Sequence, residues 1–204
     1  PGKTYLFFPH VITRQAANMP MLRRLMELGA TLIDYERIVD ERNRRLIFFG
    51  RHAGLAGMVN TLWSLGRRLE ALGVASPFAR LKQARSYADL SGAREDLQRV
   101  AARIAEEGVP AEVHPLVVGF TGYGNVSGGA QEILEILPTR TIAPAEVAAV
   151  AGDRSVSSKV VYKVVLREGD LVEPTEPGRP FDLEDYYRRG KAGYRSVFGR
   201  YADH

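Results

Sequence analysis

The 204-residue chain holds 45% hydrophobic and 25% charged residues, which excludes fibrous and disordered classes and leaves one ordinary domain or two small ones with a real core. No apolar run approaches the ~20 residues that span a bilayer, and zero cysteines exclude disulfides, thiolate zinc sites and cysteine nucleophiles. The net charge of +4 is spread in pairs such as Arg23-Arg24 and Arg188-Arg189 rather than gathered in one stripe, so neither a nucleic-acid nor a membrane partner is expected, and a reducing, cytoplasmic setting fits.

In chain order, Thr4 to Phe8 reads as a buried strand, followed by a loop with Pro9 and His10. A helix comes next, with Asn18 as cap, Pro20 in its first turn, Met21, Leu22, Leu25 and Met26 on its apolar face, and Gly29 as its stop. Ala30 to Tyr35 is a second strand, Ile38 to Arg45 a charged loop, and Arg45 to Phe49 a third strand ending at Gly50, an α/β opening. The spacing of Leu55, Met58, Val59, Leu62, Trp63, Leu65, Leu69 and Leu72 predicts one long helix over Ala53 to Leu72. Gly54, Gly57 and Gly66 each weaken that helix by roughly 1 kcal/mol relative to Ala, so they mark a close approach by another backbone or by a ligand. Ser91 to Glu107 is a further helix, with Ser91 as cap and Gly108 and Pro110 as its stop.

The order that follows is strand, glycine turn, helix: Leu116 to Phe120, Thr121 to Gly129, and Ala130 to Leu137. Thr139 to Ala143 is a short strand, Ala145 to Ala151 a short helix and Lys159 to Leu166 a strand, and after Pro174 the chain turns polar and aromatic without periodicity. Gly122-Tyr123-Gly124-Asn125-Val126-Ser127-Gly128 is a one-residue-longer relative of the dinucleotide fingerprint. One glycine makes the tight turn, the next lets the backbone meet a pyrophosphate, and the third lets the helix pack closely on the strand, while the helix N-terminus offers free N–H groups. An NAD site usually has an acidic residue some 20 positions on. Here the next strand ends Ile142-Ala143-Pro144, Glu146 lies beyond it in a helix, and Arg140 within it could meet a 2′-phosphate, which tilts the cofactor towards NADP over NAD.

Among four histidines His10 is the candidate for chemistry, because it lies in a loop leaving a strand and its imidazole titrates near neutral pH. His52 reads as structural, His114 precedes the strand before the glycine turn, and His204 is terminal. Gln15, Asn18, Asp34, Glu36 and Arg45 gather at the ends of the same elements, a solvated rim unless they converge on His10. No metal site is expected.

Five ordered segments carry a resemblance: Phe7-Phe8-Pro9-His10-Val11-Ile12, Q-A-A-N-M-P from Gln15 to Pro20, L-I-D-Y-E from Leu32 to Glu36, F-F-G-R-H-A-G-L-A-G-M from Phe48 to Met58, and F-T-G-Y-G-N-V-S-G-G-A-Q from Phe120 to Gln131. Together they resemble the saccharopine-forming lysine-ketoglutarate reductase family, the reductase half of bifunctional aminoadipate semialdehyde synthase, within the wider alanine dehydrogenase and transhydrogenase group. The resemblance runs from about Lys3 to Tyr201. It implies an α/β enzyme with a partial substrate domain over 1–52, a connecting helix over 53–76 and an incomplete Rossmann-like NAD(P)-binding domain over 77–204, apparently truncated at both ends. The implied reaction is the NADPH- or NADH-dependent condensation of lysine and 2-oxoglutarate to saccharopine, or its reverse.

In that family a Lys and a His transfer protons, and His10 matches the His. Glu36 matches a carboxylate near the substrate, Arg45 an Arg for a substrate carboxylate, with Gln15 and Asn18 beside them. Gly122, Tyr123, Gly124, Asn125, Val126 and Ser127 match the pyrophosphate turn. Two departures stand out. Thr13 replaces a Lys of many relatives, and the catalytic Lys falls upstream of Thr4, with Lys3 too close to the strand to serve. The abrupt opening at Pro1-Gly2-Lys3 is thus expected to be a cut edge, and the chain by itself inactive. The competing readings are an alanine-dehydrogenase-like amino-acid dehydrogenase and a nucleotide-binding fragment without catalysis.

Overall fold

The computed structural model describes residues 2–202, so Pro1 and His204 lie outside the described residues. It divides into two compact units, Pro1–Phe49 and Gly50–His204. In the first, β1 (Thr4–Phe7) and β2 (Thr31–Asp34) form a parallel pair, with Thr4 opposite Thr31 and Phe7 opposite Asp34, joined by α1 (Met19–Glu27). Pro20 sits in the first turn of α1, and Gly29 ends the helix at φ +57°, a conformation that favours glycine. Asn18 occupies the cap position without making a side-chain cap.

Two expectations fail in this unit. The first strand is not buried: Tyr5 and Leu6 are 44% and 50% exposed, because nothing in a two-stranded sheet covers both faces. Arg45 to Phe49 is not a strand. A strand needs a partner for its ladder hydrogen bonds, and this run has only an isolated antiparallel bridge between Val39 and Arg45. Asp40 organises the turn there, accepting from the backbone N–H groups of Arg42 and Arg44.

The second unit begins with α2 (Gly50–Ala71) and α3 (Leu90–Glu107), then alternates β3 (Val117–Thr121), α4 (Asn125–Leu134), β4 (Thr139–Thr141), α5 (Val147–Gly152) and β5 (Val161–Leu166). The fold class is α/β with parallel sheets. All three strands run parallel in the spatial order β3-β5-β4, so the last strand in sequence lies between the other two. Leu62 and Leu69 of α2, Leu97 and Ile104 of α3, Ile133 and Leu134 of α4 and Val161 of β5 close the main core. The cap of α3 is Asp89, which accepts from the N–H of Gly92, not Ser91: a carboxylate two residues earlier satisfies the orphan donor. The polar, aromatic tail also folds, into α6 (Glu168–Leu171), β6 (Val172–Pro174), α7 (Leu183–Arg189), β7 (Tyr194–Ser196) and α8 (Gly199–Ala202), with β6 and β7 antiparallel.

Glycine decides how α2 meets α4. A Cβ at Gly54 would lie 1.9 Å from the carbonyl oxygen of Val126, and one at Gly129 would lie 2.1 Å from that of Arg51. Gly66 likewise faces the Phe78 carbonyl, 2.5 Å from where its Cβ would be. Of the two readings of these glycines, backbone packing holds for Gly54 and Gly66. Gly57 faces open space. The Arg51 guanidinium completes the contact with two hydrogen bonds to Glu132, at 3.0 and 2.8 Å, and Arg94 of α3 joins the same carboxylate.

Two predictions follow from these contacts. Gly54→Val forces α2 and α4 apart and lowers the unfolding free energy by an overpacking penalty of about 1–3 kcal/mol or more, whereas Gly57→Ala, in open space, raises it by up to about 1 kcal/mol; urea unfolding of both variants checks this. In the tail, Asp185 is 5% exposed between Arg179, Arg188 and Arg189. The hydrogen bond from Arg188 holds its carboxyl below the ordinary 3.8. Its contribution to stability is present above that value and is lost as pH falls through the depressed folded-state value. Asp185→Asn therefore melts lower than the parent at neutral pH, and the gap narrows as the pH is taken below 3.8, which thermal scans across pH would show.

Candidate functional site

In the first unit the chain leaves β1 through Phe8 and buried Pro9 into His10, whose φ of +52° lies in the left-handed region that few non-glycine residues adopt. Thr13 fixes this turn by donating from Oγ1 to the His10 carbonyl at 3.2 Å. Glu36 follows β2 in a single 3-10 turn, Tyr35–Arg37, capped by Asp34 Oδ1 accepting from the Glu36 N–H at 2.8 Å. These two loops bring the charged groups together. His10 Nδ1 lies 3.5 Å from Glu36 Oε2, and Arg45 Nη1 lies 3.6 Å from Glu36 Oε1.

Phe8 is the platform beneath them. The His10 ring stacks on it at 6.2 Å between centroids, the Arg45 guanidinium lies 5.4 Å from its centroid, and Tyr35 and Phe49 meet it edge-on. Glu36 is the most enclosed of the three charged groups, its side chain 16% exposed against 50% for His10 and 43% for Arg45. Two buried carboxylate oxygens, Asp34 Oδ2 and Glu36 Oε2, accept no hydrogen bond. An unsatisfied buried acceptor is costly, so this corner suits a donor supplied from outside, such as an amine. Glu36 and Arg45 converge on His10. Gln15 and Asn18 stand apart: Asn18 Nδ2 donates to Gln15 Oε1 at 3.2 Å in an exposed position.

In the second unit the glycine turn leaves the end of β3. Gly122 has φ +93° and donates its N–H to the carbonyl of Leu166, the last residue of β5, at 2.8 Å. The helix starts at Asn125, not at Ala130, so α4 begins directly behind Gly124. No side chain caps it, which leaves the first-turn N–H groups of Asn125, Val126 and Ser127 without the usual partner. Cβ atoms built at Gly124 and Gly128 meet nothing within 4 Å, so the fold itself does not demand glycine there. The close-packing role expected of the third glycine falls to Gly129, and its partner is α2 rather than the strand. Below the turn, Ser127 Oγ accepts from Gln131 Nε2, and the buried Lys163 of β5 reaches Glu135 and Gln131 at 2.6 and 3.3 Å.

Arg140 and Glu146 are not beside the turn in the sheet, because β5 lies between β3 and β4. Arg167, Glu168 and Tyr187, which the sequence reading did not single out, are the residues near it. Tyr123 is half exposed, with the Arg167 guanidinium 5.3 Å from its ring, and Glu168 Oε1 accepts from the Tyr187 hydroxyl at 2.8 Å. The Glu168 carboxyl is held below its usual range by its own backbone N–H and by the Tyr187 hydroxyl. Only strand order places these residues here, and no local motif marks them.

No family model matches the chain. Curated proteins do. Alpha-aminoadipic semialdehyde synthase of Arabidopsis thaliana is 38% identical over 207 residues, which is 97% of this chain and 19% of that protein. The mitochondrial alpha-aminoadipic semialdehyde synthase of Mus musculus is 38% identical over 201 residues, 98% of this chain and 22% of the relative. Over most of its length the chain is thus similar to one stretch of the alpha-aminoadipic semialdehyde synthases. The family resemblance carried by the five ordered segments therefore holds. A saccharopine dehydrogenase [NAD(+), L-lysine-forming] of Neurospora crassa is 40% identical over 73 residues, 34% of this chain and 20% of that protein. The chain spans about a fifth of the length of the synthases it matches, and the shared segment includes both the His10 loop and the glycine turn.

The backbone of the turn separates its two glycines. Gly122→Ala puts a side chain at positive φ and lowers the thermal midpoint, at a cost of about 1 kcal/mol or more. Gly124→Ala leaves the midpoint within error of the parent. Differential scanning calorimetry of the two variants tests the distinction.

Proposed function

We propose that the chain forms part of an NAD(P)-dependent oxidoreductase of lysine metabolism, which condenses lysine and 2-oxoglutarate reductively to saccharopine or runs the reverse. The observation that carries this reading is the uncapped start of α4 behind Gly122 and Gly124, in a chain whose relatives are named for aminoadipic semialdehyde and saccharopine. Residues 1–52 serve as part of the substrate domain, 53–76 as the connecting helix, and 77–204 as the Rossmann-like cofactor domain. The partners are small molecules rather than nucleic acid or a membrane, in keeping with basic residues spread in pairs instead of gathered in one stripe. The mouse relative is named mitochondrial, and zero cysteines also suit the cytoplasm.

The residues of the turn fit a dinucleotide. Gly122, Tyr123 and Gly124 give a pyrophosphate close access, and the N–H groups of Asn125, Val126 and Ser127 point donors and the positive end of the helix dipole at it. When bound, the nicotinamide supplies or accepts hydride. NADP is favoured over NAD.

His10 does the proton work. Its Nδ1 faces Glu36, which orients the ring and stabilises the imidazolium, and Nε2 is then the atom that gives or takes a proton at the substrate nitrogen. Glu36 and Asp34 accept from a cationic amine through the two oxygens that accept no hydrogen bond within the protein. Arg45 pairs with a substrate carboxylate in bidentate fashion, and Gln15 and Asn18 add polar contacts along the rim.

In the full-length protein His10→Ala depresses turnover by about 100-fold or more, the usual scale of a lost general acid–base, and leaves dinucleotide affinity near the parent value. Gly124→Val does the reverse, weakening dinucleotide binding while the fold persists, since its side chain occupies space that only a ligand would need. Steady-state kinetics with lysine plus 2-oxoglutarate, run against ammonia plus pyruvate, and cofactor titration by fluorescence give both readouts. Equal loss of both properties in both variants, or a preference for ammonia and pyruvate, would sink this reading.

A further inference from the structure

The sheet order moves the cofactor-specificity position to a residue that sequence spacing does not find. In open parallel sheets ligands lie across the carboxyl ends of the strands, and the strand next to the phosphate-binding strand carries the group that meets the adenosine ribose. Counting some 20 residues from the turn leads to the end of β4. Yet β4 is two strands away from β3, at about 4.8 Å per strand, and β5 fills the place between. Both strands that follow β3 lie on the same side of it, which is the side occupied by the adenosine half when successive strands are laid outward from the phosphate strand.

The register fixes the residue. Phe120 pairs with Val165 and Thr121 with Leu166, and the Gly122 N–H donates to the Leu166 carbonyl, so the next residue, Arg167, stands directly beside the turn. Its backbone N–H is bonded to Asp170 Oδ2 at 2.7 Å, which pins the start of α6. Its side chain is exposed and lies over the ring of Tyr123, the residue between the two turn glycines. Among the described residues no carboxylate forms an ion pair with this guanidinium. The neighbouring Glu168 feels the Arg167 charge and the Tyr123 hydroxyl, but its Oε1 accepts from Tyr187 and it makes no ion pair with the guanidinium. An arginine held over an aromatic ring keeps N–H donors for another acceptor, and the guanidinium fork matches a phosphomonoester in bidentate fashion.

We propose that Arg167, and not Arg140, reads the 2′-position of the adenosine ribose and selects a 2′-phosphorylated dinucleotide. The assignment rests on the dinucleotide reading of the glycine turn.

Equilibrium titration of the full-length protein with NADPH and with NADH, each followed by fluorescence, tests it without reference to turnover. The parent binds NADPH more tightly than NADH. Arg167→Gln weakens NADPH by about 10- to 100-fold, the scale of a charge-assisted contact, and leaves NADH within about threefold. Arg140→Gln changes neither. Competition with 2′,5′-ADP against 5′-AMP follows the same pattern, with the advantage of the 2′-phosphate lost in Arg167→Gln alone. Circular dichroism melts of the variants report folding. Equal affinity of the parent for the two dinucleotides, equal loss of both in a folded Arg167→Gln, or loss of NADPH preference in Arg140→Gln overturns the assignment while the dinucleotide reading stands. Binding of neither dinucleotide by the parent overturns the dinucleotide reading itself, and the assignment with it.

Discussion

The second unit depends on one steric contact, the backbone-to-backbone approach of α2 and α4. Two positions without side chains, Gly54 and Gly129, let each helix set its glycine against a carbonyl of the other. Glycine costs a helix about 1 kcal/mol per position, and Gly128 and Gly129 fall in the first half of α4. Isolated, that stretch would favour a loop. Packed on α2, it is helical from Asn125, and the helix then starts at the glycine turn itself. The anion-binding character of the turn follows from this packing, because only a helix that begins there aims its free N–H groups at the space above β3. The Arg51–Glu132 pair that borders the contact is half exposed, and such pairs contribute little, so the glycines carry the arrangement.

The first unit uses a different economy. Its sheet has only two strands and its larger apolar side chains remain substantially exposed, yet Glu36 is enclosed. Phe8 makes this possible by presenting one face to His10 and lying beneath Arg45, so that an imidazole and a guanidinium flank the carboxylate. The flanking groups stand at 3.5 and 3.6 Å, beyond good hydrogen-bond length, and the carboxylate is left with an unsatisfied oxygen. A site that keeps a charged acceptor incompletely satisfied is arranged for a donor it does not itself contain.

Much of this was legible in the chain. The periodicity of Leu55 to Leu72 announced α2, and Gly29 and Gly108 announced helix ends, because burial stripes and positive-φ glycine stops are local consequences of residue type. His10, Glu36 and Arg45 were legible as candidates from their loop positions and from the family segments around them. The third strand at Arg45 to Phe49 was not real, since a short apolar run cannot by itself supply a pairing partner. The cap of α3 shifted to Asp89 because a carboxylate competes well with a hydroxyl for the first free N–H.

By itself the sequence determined the alternation of helices and strands, the glycine turn with its left-handed Gly122, and the similarity to one stretch of the aminoadipic semialdehyde synthases. These rest on residue type and near-neighbour spacing, which act within a few residues. Tertiary structure alone decided the start of α4, the meeting of His10 and Arg45 on Glu36, and the insertion of β5 between β3 and β4. Each depends on which backbone comes to lie against which, a choice made by packing between segments far apart in the chain, and the placement of Arg167 beside the turn is its most consequential result.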